Sequence, residues 1–415
     1  MQHQPDLLEL GQARLQLLKT LCLPTLQQQT SQNFLWIIRA DPQLAEPLKK
    51  ELLSLIDTAT QSNPYFRVVV MATNENPVGF RKPLTETPDQ IWTHNYYLLQ
   101  HYQQAAQTRA VLETRLDADD GLHIAFVEVM QQEAREQLVD SESMMSSNSH
   151  SKAKSQGGSK QEDSQKQHTK QSKNWLMWCS GTHVEWQYGA PWEFLAGENS
   201  NVTKKQLQDA EDSMDSTLGS LMPGLTKGCI TPGLTTGYGK YVNFDDVPNA
   251  QHHMLHRKVR PCHDPTEQQH EHNNKRCLIF WKEVIPAAIR GRTPTSAGMQ
   301  FVLGKHMSSL SPQARQALGA DEPELLREKQ SMMWESVERR FDISKDSVRQ
   351  MRNFLTDHMH GIVQDNYEGQ CTQGHSCKNS SRIILKQLME ESVEPAAAGS
   401  NNNNNSTTTT TATSR

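Results

Sequence analysis

Arg109-Ala110-Val111-Leu112-Glu113-Thr114-Arg115-Leu116 runs directly into Asp117-Ala118-Asp119-Asp120-Gly121. The first eight residues are a short apolar run that predicts a strand, and a helical pattern begins at Leu122. The acidic stretch therefore falls where a strand gives way to a helix. Its three carboxylates do not serve packing, because burying an ionised group unpaired is costly. They call for a cation or for solvent. Hard carboxylate oxygens at alternating positions suit Mg²⁺ or Mn²⁺, and either ion bridges a chain to a substrate diphosphate.

Outward from this junction the same alternation recurs. Leu15, Leu18, Leu21 and Cys22 follow helical spacing, and Pro24 kinks or restarts that helix before Gln27-Gln28-Gln29 ends it. Phe34-Leu35-Trp36-Ile37-Ile38 predicts a strand that stops at Asp41-Pro42. Leu48, Leu52, Leu53 and Ile56 mark a helix, and Tyr65-Phe66-Arg67-Val68-Val69-Val70-Met71 marks the next strand. A helix over 89–107 then leads into the strand that ends at Asp117. This order predicts an α/β fold with a mixed, mostly parallel sheet flanked by helices. Ligands bind such sheets beyond the carboxyl ends of the strands, where Asp41 and Asp117 both fall.

Past residue 173 the pattern changes. Trp175-Leu176-Met177-Trp178-Cys179 and Val184-Glu185-Trp186-Gln187-Tyr188 predict strands joined through Ser180-Gly181-Thr182 as a hairpin region, with Trp192 and Phe194 adding aromatic surface. Such rings pack a core or face a sugar, and for any single Trp core packing is the preferred reading. Residues 228–239, from Gly228 to Gly239, form a glycine-punctuated stretch whose backbone could approach phosphate. A last amphipathic helix starts at its N-cap Ser344 and runs through Val348, Met351, Leu355, Met359 and Ile362, and its role is packing.

Composition bounds the rest. Of 415 residues, 35% are hydrophobic, and two stretches have little to bury: 140–173, dominated by Ser, Gln, Lys, Gly and His, and 395–415, with its Asn and Thr runs. Both are expected to be disordered. A net charge of −5 with scattered Lys and Arg argues against a nucleic-acid partner. No membrane span and no leader segment are visible, so a soluble chain is expected. Seven cysteines spread over this length argue against a dense disulfide framework, and Cys371 with Cys377 is the pair close enough for a bridge or for two ordinary thiols.

Other readings of the acidic stretch fit less well. A calcium loop would need glycine at its sixth position, and Gly121 is at the fifth. A phosphotransferase would need companion Lys and Thr motifs that are not evident. A second function class comes from His252, His256, Cys262, His263, His270, His272 and Cys277, from which a structural Zn²⁺ site could be built. The chain would then be a zinc-stabilised binding module without catalysis.

Leu23-Pro24-Thr25-Leu26 with Gln29-Thr30, then Phe34-Leu35-Trp36, then Thr114-Arg115-Leu116-Asp117-Ala118-Asp119-Asp120, resembles the bacterial and algal rhamnosyl transferase family, whose members look like GT-A glycosyltransferases with an Asp-x-Asp motif. The likeness continues through residues 229–235, His252-His253 and residues 292–299. It implies transfer of a sugar from a nucleotide diphosphosugar donor to the hydroxyl of a carbohydrate or other acceptor. In that scheme Asp119 binds Mn²⁺ or Mg²⁺, Asp117 binds the metal or the donor ribose, Asp120 orients them, and His252 or His253 completes the coordination. Asp41 and Arg115 are candidates for the nucleotide. Arg292 holds the diphosphate or is an ordinary surface Arg, and Glu185 or Glu193 is the candidate base. Such proteins begin with a strand ahead of the first helix, whereas this chain starts almost at that helix, so a first strand is expected to be missing. A start truncated in this way would fit the Golgi lumen, and a complete one the cytoplasm. The expected division is 1–139, the nucleotide-sugar-binding half; 140–173, an insertion; 174–300, the acceptor and metal-completing half; 301–394, a helical appendage; and 395–415, a tail.

Overall fold

The computed structural model describes residues 7–74, 80, 82–139, 175–180, 182–191, 203–225, 232–240, 242, 247, 277–280, 288–291, 316, 318–320 and 322–372. Helix α1 (Leu8–Leu17) passes into a π-helical turn (Leu18–Cys22) and on to α2 (Leu23–Gln27). The wide turn sits just ahead of Pro24, whose ring cannot follow a regular α-helical turn. Strand β1 (Trp36–Ala40), α3 (Glu46–Ser62), β2 (Val68–Ala72), α4 (Tyr96–Thr108), β3 (Val111–Arg115), β4 (Asp120–Leu122) and α5 (Phe126–Ala134) complete the N-terminal part. Then come β5 (Trp175–Ser180), β6 (Thr182–Gln187), α6 (Lys204–Ser213), β7 (Ser220–Leu225), β8 (Leu234–Tyr238), β9 (Cys277–Phe280) and β10 (Ala288–Gly291). Helices α7 (Pro323–Phe341), α8 (Lys345–Asp357) and α9 (Met359–Thr372) follow.

The fold is mixed α/β, and among the described residues the strands form three sheets ordered β1-β2, β4-β10-β6-β7 and β3-β8-β5-β9. The expectation of a mostly parallel sheet needs correcting. Parallel pairing joins β1 to β2, β10 to β6 and β5 to β9, while β4, β7, β8 and β3 pair antiparallel. The expected β5–β6 hairpin is not formed either: the two strands enter different sheets. Both are flanked by better partners, β8 and β9 for one, β7 and β10 for the other.

Three element boundaries also move. The chain after Asp119 forms β4 before α5 starts at Phe126. The expected helix over 89–107 is broken: His94 has φ +55, the Thr93 hydroxyl accepts from Val70 N–H, and the Asn95 side-chain amide donates to the Val68 carbonyl. Those side-chain bonds tie the segment to β2, so that a 3-10 turn at Pro88–Gln90 is separated from the α-helix, which spans only Tyr96–Thr108. The last helix has the expected Ser344 cap, whose hydroxyl accepts from Ser347 N–H, but stops at Asp357, with Met359 and Ile362 in α9. All five of its named apolar residues are buried. In the glycine-punctuated stretch, Leu234–Tyr238 is a strand between β3 and β5 rather than a phosphate loop, and residues 226–231 lie outside the described ones. The insertion 140–173 and the tail also lie outside them, as does Cys377.

The helix that begins the described chain buries Leu10, Gly11, Ala13, Leu15 and Leu17, and together with the π-helical turn after it lies between two cores. Leu15, Leu18 and Cys22 join α3, β2, α5 and Trp178 in one. Leu10, Ala13, Leu17 and Leu21 join Val184 and Trp186 of β6, Ile289 of β10 and the apolar residues of α7, α8 and α9 in the other. Trp175, Trp178 and Trp186 are buried, so these indoles pack the interior, while Trp192 and Phe194 lie outside the described residues.

Candidate active site

The acidic stretch begins just past β3 and is folded by its own backbone. Asp120 N–H donates to the Asp117 carbonyl at 3.1 Å, turning the chain so that β4 can pair antiparallel with β10. Carboxylate oxygens of Asp117, Asp119 and Asp120 come within 4.8 Å of one another, with Asp120 buried and the other two half-buried. Burial above all, then the neighbouring Asp117 charge, raises the Asp119 carboxyl above its usual value, while a backbone hydrogen bond, Arg14 and Arg290 pull it back. Three hard oxygen donors at this spacing fit a divalent cation such as Mg²⁺ or Mn²⁺. Among the described residues, this is the group of His, Cys, Asp and Glu that brings three ligand atoms together.

The site is closed from below by the N-terminal helices. The Thr25 hydroxyl donates to the Cys22 carbonyl at 2.7 Å and accepts from Leu122 N–H at 3.1 Å. A Cβ at Gly121 would overlap the Leu21 carbonyl oxygen and come within 2.8 Å of the Thr25 methyl. Only glycine lets β4 lie this close to the π-helical turn. Gly291 does the same on the other side: its N–H donates to the Asp119 carbonyl at 2.7 Å, and a Cβ there would come within 2.5 Å of that oxygen. Cys22 is buried beneath the carboxylates, and its thiol is pushed well up by burial first and then by Asp120, Asp119 and Asp117. The buried Gln29 carboxamide donates to the Thr25 and His123 carbonyls and accepts from Val127 N–H, locking the segment that follows the aspartates.

Strand register sets the rest. Asp120 of β4 stands opposite Arg290 of β10, which stands opposite Glu185 of β6. Arg290 Nε lies 3.9 Å from Asp120 Oδ1, and its Nη1 lies 3.6 Å from Glu185 Oε1. His183 Nε2 is 3.2 Å from that same Glu185 oxygen, and the Gln187 amide donates to Glu185 Oε2 at 3.3 Å. On the helix side, burial lowers the Arg14 guanidinium below its usual value, opposed by Asp119. Two guanidinium groups thus face the three carboxylates.

Of the residues named from sequence, the structure gathers Asp117, Asp119, Asp120 and, through Arg290, Glu185. Arg115 instead lies 3.8 Å from Glu113, and burial lowers it, with Glu113 and Tyr238 opposing. Asp41 follows β1 and accepts from Gln43 N–H at 2.8 Å. Glu193, Arg292, His252 and His253 lie outside the described residues, as does all of the proposed zinc set except Cys277. Sequence reasoning missed Arg14, Arg290 and His183. Arg14 sits among apolar helical positions, a spacing that could have flagged it. Arg290 and His183 have no local signal, since cross-strand register alone brings them in.

Residues 4–153 match the family described as "Putative rhamnosyl transferase", the family that the residues around Asp117 resemble. The match contains α1 to α5 and the whole acidic cluster, while Glu185 and Arg290 lie beyond it. No curated protein and no solved structure matches the chain. Among the described residues, no helix is long and apolar enough to cross a membrane.

Proposed function

We propose that the chain is a metal-dependent glycosyltransferase of GT-A type that moves a sugar, rhamnose by the family's description, from a nucleotide diphosphosugar to an acceptor hydroxyl. The observation that carries this reading is the gathering of Asp117, Asp119 and Asp120 within 4.8 Å, inside the stretch that matches the family. Asp119 and Asp117, steadied by Asp120, would hold Mn²⁺ or Mg²⁺. When bound, that ion offsets the negative charge that grows on a departing diphosphate. The chain's own residues do the remainder. Arg290 and Arg14 supply fixed positive charge beside the carboxylates, preorganised by β10 and α1 and in place before any charge develops. Glu185, held by Arg290, His183 and Gln187, is the candidate to take the acceptor proton. Asp41 and Arg115 remain candidates for the nucleotide, Glu193 for the base, Arg292 for the diphosphate, and His252 or His253 for the last ligand.

The test is nucleotide release from a panel of nucleotide diphosphosugars with and without Mn²⁺. Asp117→Ala and Asp119→Ala are expected to lower turnover by about 100-fold or more while keeping the parent's circular dichroism. Turnover equal to the parent's in both variants sinks the assignment.

A further inference from the structure

Arg290 stands between two carboxylates without a hydrogen bond to either. Its Nε is 3.9 Å from Asp120 Oδ1 and its Nη1 is 3.6 Å from Glu185 Oε1, both beyond hydrogen-bond reach. The carboxylates are pinned where they are. Asp120 sits in β4, paired with β10, and Glu185 accepts from the Gln187 amide at 3.3 Å and lies 3.2 Å from His183 Nε2. Among the described residues the Arg290 guanidinium therefore makes ion-pair contacts alone, although its side chain is only 25% exposed. A guanidinium has five N–H donors and no acceptor, so one covered this far calls for further oxygens. They can reach it, since Asp117, Asp119 and Arg290 all keep part of their surface open to solvent.

Charge decides which oxygens come, and with what. Carboxylate oxygens of Asp117, Asp119 and Asp120 gather within 4.8 Å, and Asp119 feels the charges of both Arg14 and Arg290. A cation drawn to the carboxylates is repelled by the two guanidinium groups, and an anion drawn to those groups is repelled by the aspartates and by Glu185. Neither ion alone meets a site of one sign. Arriving together, a divalent cation and a phosphate oxyanion each screen the repulsion that the other feels, and such coupling is reciprocal. We propose that Arg290, aided by Arg14, makes divalent-cation binding and diphosphate binding at this site depend on each other, which rests on the transferase reading. The N–H fork of Arg290 turns to the diphosphate oxygens, and its charge keeps the three aspartates from holding a bare cation tightly.

The test is calorimetry on the full chain with Mn²⁺ alone, and with UDP, GDP and dTDP as probes in EDTA and in saturating Mn²⁺. At least one diphosphate is expected to bind about tenfold or more tighter with Mn²⁺ than without. Arg290→Met is expected to move the two ligands in opposite directions: Mn²⁺ alone binds about threefold or more tighter, and the diphosphate in Mn²⁺ about tenfold or more weaker. Misfolding would weaken both, and circular dichroism would reveal it. Arg290→Lys then decides, because it keeps the charge and loses the fork: Mn²⁺ alone should bind as in the parent, and the diphosphate more weakly. No coupling in the parent, a folded Arg290→Met that binds Mn²⁺ alone no tighter, or an undiminished diphosphate affinity in Arg290→Lys overturns the role of Arg290. Nucleotide release from the donor panel separates this from the parent reading: release without coupling removes the coupling alone, and Arg290-dependent coupling without release from any donor removes the transferase reading alone.

Discussion

Asp119 carries a cost in the folded protein. Its carboxyl is raised by burial and by Asp117, so at neutral pH the fold holds a charge it does not favour, as sites built for a cation do. Asp119→Asn is expected to raise the thermal midpoint of the metal-free protein by about 1–3 °C and to abolish its rise on adding Mn²⁺. A variant that still gains stability from Mn²⁺ like the parent would remove Asp119 from the ligand set. His123 makes a separate prediction. Burial first, and the Arg340 charge second, lower its imidazole from 6.5 to about 4. The ring accepts from Ala125 N–H and meets the Phe341 edge. A folded value below the unfolded one means that the unfolded chain takes up the proton first, so this stability is full above pH 6.5 and is lost as pH falls toward 4. His123→Asn keeps an acceptor for Ala125 and removes the titration. Urea unfolding at pH 7 and pH 5 should then show a smaller loss than in the parent, and an equal loss would discard the explanation.

At the scale of elements, the site depends on three pieces meeting at glycines. The π-helical turn, β4 and β10 approach so closely that Gly121 and Gly291 leave no room for a methyl group. Gly121→Ala is expected to cost about 1–3 kcal/mol in denaturant unfolding, because the atom it strikes is the Leu21 carbonyl, which cannot rotate away. An undiminished denaturation midpoint would show that the turn yields more easily than its packing indicates. The same closeness explains a sequence-level error. Leu122 begins a helical pattern, yet its amide goes to Thr25 and its neighbours pair with β10, so tertiary partners override local preference until Phe126. A comparable override edges β7, where the buried Gln330 carboxamide accepts from Leu221 N–H and donates to its carbonyl. A side chain there stands in for a neighbouring strand.

Across the whole molecule, the N-terminal helix and the C-terminal helices are one structure. Leu10 N–H donates to Asp365, and Glu9 lies 2.6 Å from His358, although these partners are some 350 positions apart. Trp334, Val337 and Phe341 pack in the same core as Leu17, Leu21 and Ile289, directly behind the strands that hold Asp120 and Arg290. Trp334→Ala, far from the acidic cluster in sequence, is therefore expected to cost about 3–5 kcal/mol by urea unfolding. A loss below about 1 kcal/mol would mean that this core is not shared.

The sequence alone determined what is local. An acidic string after a β-forming run marked the candidate cation site, 3.6-residue periodicity marked α3 and α8, and Ser344 marked a cap, because each signal lies within a few residues of chain. The family resemblance around Asp117 was legible for the same reason. Only the tertiary structure decided which strands pair, that β5 and β6 part company, that Arg14 and Arg290 face the three aspartates, and that His183 and Gln187 meet Glu185. Those facts arise from cross-strand register and from helices packed over hundreds of intervening residues. Such contacts are selected by shared burial and leave no spacing in the sequence to read.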